Sequence, residues 1–142
     1  AGHRFESVAD GASVDMYFEN PGGSGRTVYI VAVLVSSSGK AFIDIYRDNA
    51  VDVSGTRVEP VNLNLGSGNT SVARVEYGGT YTPGRLALDD MNPGGTIVRS
   101  IGWVSEIGES VILPPGTNFL VRVTNKANTS ADLAIRILWW EE

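Results

Sequence analysis

Apolar and polar side chains alternate with a period of two along most of this chain, the repeat expected of strands whose successive residues point to opposite faces. Val72, Arg74 and Glu76 alternate with Ala73, Val75 and Tyr77; Phe119, Val121 and Val123 alternate with Leu120, Arg122 and Thr124. Ala41, Ile43 and Ile45 oppose Phe42, Asp44 and Tyr46, and Ile135, Ile137 and Trp139 oppose Arg136, Leu138 and Trp140. The run from Thr27 to Val35 is β-branched and aromatic, which suits a pleated sheet. Further strands are predicted over residues 14–19, 56–61, 96–105 and 109–113, with at most one turn of helix near 85–91.

Turn chemistry separates these runs. Asn20-Pro21-Gly22-Gly23, Ser37-Ser38-Gly39, Gly66-Ser67-Gly68-Asn69, Asn92-Pro93-Gly94-Gly95 and Pro114-Pro115-Gly116 supply the positive or fixed φ angles that end strands. The predicted fold is therefore all-β, an antiparallel β-sandwich of jelly-roll type with about 8–9 strands. The motif Asn-Pro-Gly-Gly occurs before two of the predicted strands, as two stacked Greek keys would require. Chance recurrence of turn residues explains it equally well. Residues 1–12 are polar and glycine-containing and are expected as an N-terminal arm, with residues 13–142 as the jelly-roll β domain.

Composition narrows the function. The charged fraction is 19%, against roughly 25% in an average globular chain, so apolar surface remains for something else to cover. The 11 basic residues are scattered and the net charge is −5. Without a basic stripe to neutralise phosphates, no nucleic-acid partner is expected. No run reaches the ~18 apolar residues of a membrane helix, so no membrane partner is expected either. The absence of cysteine excludes a disulfide framework, a thiolate metal site and a cysteine nucleophile.

Catalytic constellations are not found. His3 is the single histidine and sits in the expected arm, where no third group would orient it as a base. Asp89-Asp90 precedes a turn that offers oxygen ligands to a hard cation, but the spacing of a calcium loop is missing. Glu141 and Glu142 are adjacent and cannot flank a cleft as a glycosidase pair. The expectation is no enzyme, no cofactor and no metal.

Binding is the remaining class. Trp139 and Trp140 must face opposite sides of their strand, so one fills the core and the other, with Leu138 beside it, needs a covering partner. The run from Val28 to Val35 is apolar on both faces, whereas a sandwich strand normally keeps one face wet. Leaving one face in water forfeits about 1.5–3 kcal/mol per side chain. Tyr29, Val31, Val33 and Val35, with Leu138 and Trp140, are thus the candidate oligomer interface, and a homo-oligomer is the expected partner. A strand enclosed on both faces by its own subunit is the competing reading.

Several stretches carry a family likeness: Tyr17 to Pro21, Ser24 to Ile30, Pro60 to Ser67, Ile112 to Thr117, and the closing Ile135 to Glu142 with its Trp-Trp-Glu-Glu. They resemble small jelly-roll virion structural proteins of tailed bacteriophages, of the head-decoration or cement type. The resemblance spans most of the chain from about residue 13, in loose turn-and-strand patterns. It implies a trimer on the capsid surface of a virion, contact with the major capsid protein, and no catalysis. The alternative is a carbohydrate- or receptor-binding β-sandwich module that uses Trp140, Trp103 or Tyr81 as a stacking platform.

Overall fold

A computed structural model describes residues 1–64, 66–94 and 111–142 in full, and the backbone of residues 99–104. Two antiparallel sheets pack as a β-sandwich, with no helix among the described residues. The first sheet runs β1 (Gly2–Val8), β13 (Ala131–Glu141), β3 (Val28–Ser37), and then β10 (Arg99–Val104) and β11 (Val111–Leu113), which share the far side of β3. The second runs β6 (Thr56–Arg57), β7 (Arg74–Tyr77), β2 (Ser13–Asn20), β12 (Thr117–Asn125), β4 (Ala41–Arg47), β9 (Arg85–Asn92). A small ribbon pairs β5 (Ala50–Val53) with β8 (Thr80–Thr82).

The core lies between the sheets and follows the period of two. The second sheet contributes Met16, Phe18, Phe119, Val121, Val123, Ile43 and Val75; the first contributes Val28, Ile30, Val33, Val35, Leu133, Ile135 and Ile137. Burial of each such side chain is worth about 1.5–3 kcal/mol, which makes this layer the main source of stability.

A bulge changes which residues of β3 face inward. The register pairs Ile30 with Trp139 and Ala32 with Leu138, so Val31 has no partner on β13. On the other side, β11 pairs residues 28–30 and β10 pairs residues 32–37, and Val31 has no partner there among the described residues. An extra residue shifts the alternation by one. Val28 and Ile30 point into the core before the bulge, and Val33 and Val35 after it.

Three buried asparagines mark the places where the chain leaves the second sheet for the first. Asn20, Asn92 and Asn125 are the last residues of β2, β9 and β12, and each is fully buried. The Asn20 amide donates to the carbonyls of Arg26 and Leu113, both at 2.8 Å. That of Asn125 donates to the carbonyls of Val8 and Thr129 at 2.8 and 2.7 Å, while its oxygen accepts the Ala127 N–H at 2.9 Å. Asn92 accepts the Gly94 N–H at 3.0 Å. Gly94 has φ +73, and a Cβ there would stand 2.6 Å from the Lys40 nitrogen, so only glycine fits. Asn20-Pro21-Gly22 and Asn92-Pro93-Gly94 thus both stand where the chain leaves the second sheet.

Three expectations are corrected. Residues 85–91 form β9 and not a helical turn, because pairing with β4 overrides the helix preference of Leu, Ala and Met. Thirteen strands are described where about nine were expected, the surplus being mostly short pieces such as β5, β6, β8 and β11. Residues 2–8 are no free arm: β1 pairs with β13 from Gly2 to Val8. Phe5 and Val8 pack on the core, which outweighs the polar composition of the segment.

Candidate interaction surfaces

The outward face of the first sheet carries a stacked aromatic pair. Tyr29 and Trp140 are register partners on β3 and β13. Their rings stack 4.1 Å apart and 6° from parallel, and Trp140 stays 48% exposed. The Tyr29 hydroxyl donates to Glu142 at 3.2 Å. Trp139 turns the other way and meets Phe18 edge-on, 4.9 Å between centroids.

A second surface is the edge where β9 ends one sheet and β11 borders the other. The sandwich gapes there into an apolar cleft of about 300 Å³, lined by Ile30, Val33, Ile45, Ala87, Ile112 and Phe119, with Arg47 and Asp48 on its border. Ile112 is 56% exposed at this opening, and Val111, Leu86, Leu88 and Met91 on the same strands are exposed as well.

The third surface is the connection between β6 and β7. Its tip exposes Val61 by 68% and Leu63 by 79%, the highest values among the described large apolar side chains. The tip is held by its own bonds, Asn64 N–H to Asn62 at 2.9 Å, Ser67 N–H to the Asn64 carbonyl at 2.9 Å, and Asn62 to the Asn69 carbonyl at 3.4 Å. The base is tied by Val58 N–H to the Val75 carbonyl at 2.9 Å.

Glu141 fastens the returning limb. Its carboxylate accepts from the Ser71 hydroxyl, from the Val72 N–H at 3.2 Å, from Trp139 Nε1 at 3.1 Å and from Arg26 at 3.2 Å. Burial alone would raise this carboxyl, but the four donors outweigh it and hold it below the ordinary glutamate range.

The expected interface residues separate. Tyr29, Leu138 and Trp140 share the outward face, and Val31 is half-buried at the bulge. Val33 and Val35 do not join them: both are core, since the bulge turns them inward. In the described strand β3 no side chain is exposed, so the apolar surplus lies instead on β9, β11, the β6–β7 connection and Trp140.

Other candidates also find places. Tyr81 is buried against Tyr17, with rings 5.2 Å apart and 8° from parallel, where the β5–β8 ribbon covers the outer face of the second sheet. It offers no free platform. Burial, reinforced by the Glu19 carboxylate, pushes the Tyr17 phenol up to about 12. The side chain of Trp103 lies outside the described residues. His3 stacks on Tyr77 at 3.5 Å and meets Phe5 edge-on at 4.7 Å, which ties β1 to β7 across the sandwich. Asp89 and Asp90 sit exposed on β9, and no group of three or more metal-ligating side chains occurs among the described residues. Sequence reading missed the β6–β7 connection as a surface; the alternation Val61-Asn62-Leu63-Asn64 was the available signal.

No protein-family model, curated protein or solved structure matches the chain.

Proposed function

We propose that this chain is a non-enzymatic virion structural protein, a homotrimeric decoration protein that binds the outer capsid shell of a tailed bacteriophage through the major capsid protein. The observation that carries this reading is the exposed apolar surface: Leu86, Leu88 and Met91 on β9, Val111 and Ile112 on β11, Val61 and Leu63 on the β6–β7 connection. Exposed apolar side chains grouped in this way mark sites that another protein covers. The strand order β2-β12-β4-β9, with β3 paired to β10 and β11 in the opposite sheet, supports the jelly-roll form that the resemblance implies. Scattered charges and a net charge of −5 favour a protein surface over nucleic acid as the partner.

Tyr29, Leu138 and Trp140 are assigned to contact with the shell. The test is co-sedimentation with shells assembled from the major capsid protein encoded in the same genome. Saturable binding that Trp140→Ala weakens is the expected result; failure to bind at micromolar concentration contradicts the proposal.

The exposure of Trp140 also favours a second reading, a carbohydrate- or receptor-binding module. Tyr29 already covers one face of the indole, which leaves a single face for a sugar ring. Glycan-array binding abolished by Trp140→Ala would select this reading over the first.

A further inference from the structure

We infer that Arg136 binds a carboxylate of the covering protein, an Asp or Glu side chain on the capsid shell, beside the contact made by Tyr29, Leu138 and Trp140. This rests on the shell contact proposed above and names the chemistry of the shell surface that meets it.

The pairing register sets out what the outward face of the first sheet displays. Along β13 the outward residues are Ala134, Arg136, Leu138 and Trp140, at the period of two. Arg4 of β1 and Ser36 of β3 flank Ala134, while Gly2 and Leu34 flank Arg136. Ala134 and Gly2 are short, and they leave a hollow of about 430 Å³ between the longer side chains. Arg4 and Arg136 stand on a diagonal across it, about 7–8 Å apart at the backbone.

The charge of this hollow is not balanced. Glu6 holds Arg4 at 2.6 Å. Arg136 is exposed and makes no ion pair among the described residues. Arg26, Arg47, Arg57, Arg74 and Arg122 each have a carboxylate partner, as Arg4 has. Two guanidinium groups thus share the hollow with one carboxylate, and the surplus charge is that of Arg136. Its planar fork of N–H donors matches a carboxylate with two parallel hydrogen bonds.

The surroundings favour a protein as the source of that carboxylate. Arg136 and Trp140 are about 13 Å apart along the strand. The outward residues over that distance are Leu34, Ala32 and Leu138, all apolar. An apolar centre bordered by arginine is the make-up of a protein contact, where Trp and Arg carry much of the binding energy. A glycan laid along the same path would meet no side-chain hydroxyl or amide there among the described residues.

The test is co-sedimentation with shells of the major capsid protein, comparing the parent with Arg136→Ala, Arg136→Lys and Trp140→Ala. Arg136 is exposed, so the urea midpoints of its two variants should match that of the parent. Arg136→Ala should raise the dissociation constant by about tenfold at low salt. Arg136→Lys should recover part of the loss, since an ammonium keeps the charge but not the fork. Added salt should weaken the parent more than Arg136→Ala, because screening removes only what the variant already lacks. If Arg136→Ala keeps the parent's affinity and salt dependence while Trp140→Ala is weakened, the inference is overturned and the shell contact stands. If the parent does not bind shells, both fall. If Arg136→Ala loses binding to acidic glycans on an array but holds shells as the parent does, the hollow is a sugar site and the inference is wrong.

Discussion

Tyr29 and Trp140 stack face to face across β3 and β13, 4.1 Å apart, on the side of the sheet away from the core. Because the pair is exposed, its loss should disturb the fold little. Trp140→Ala is expected to lower the unfolding free energy by about 1 kcal/mol, the usual worth of such an aromatic pair. Urea unfolding checks this; a loss above about 3 kcal/mol would mean that the indole belongs to the core.

The bulge at Val31 makes an opposite prediction for its neighbours. Val35 and Ile135 are register partners buried against the second sheet. Ile135→Ala should cost about 2–5 kcal/mol, as large core truncations do, whereas Val31→Ala should cost under about 1 kcal/mol. Equal losses at both positions in urea unfolding would contradict the assigned faces.

Glu141 should make the fold sensitive to acid. Its carboxyl is held below the ordinary glutamate range in the folded chain. The stabilisation is therefore fully present above that ordinary range and is lost as pH falls through the folded value. Glu141→Gln is expected to cost about 1–3 kcal/mol at neutral pH, the penalty for weakening hydrogen bonds to a charged acceptor. The gap between variant and parent should close as the pH is lowered, in thermal or urea unfolding. A gap that stays constant with pH would remove the carboxylate from this role.

Asn125 joins three segments by three hydrogen bonds from a fully buried amide. Asn125→Ala leaves two carbonyls without their donor and should destabilise by about 2–3 kcal/mol. Asn125→Asp should be no milder, since a carboxylate cannot donate to the Val8 and Thr129 carbonyls. A near-neutral alanine variant in urea unfolding would show that water or a local shift replaces the amide.

Much of the sandwich was legible from alternation alone, because the core positions of β2, β4, β12 and β13 alternate with outward residues such as Asp15, Asp44, Arg122 and Arg136. The faces of β3 were not, since a bulge has no signature in a run such as Val31-Ala32-Val33-Leu34-Val35, where every choice of face is apolar. Strand β9 was hidden by helix-forming residues that its pairing with β4 overrides. Strand β1 was hidden by its polar residues, although Phe5 and Val8 anchor it to the core. The corners at Asn20 and Asn92 were visible as a repeated motif, but Asn125 lacks the Pro-Gly-Gly that follows the other two and escaped notice. Adjacent Trp139 and Trp140 face opposite sides of β13, as alternation along a strand requires.

The proposed assembly rests on the apolar side chains left uncovered on β9, β11 and the β6–β7 connection. Multi-angle light scattering of the purified protein at micromolar concentration measures this most directly. A mass three times the 15.1 kDa of one chain is predicted. A single species at 15.1 kDa, stable and soluble across that range, would contradict it.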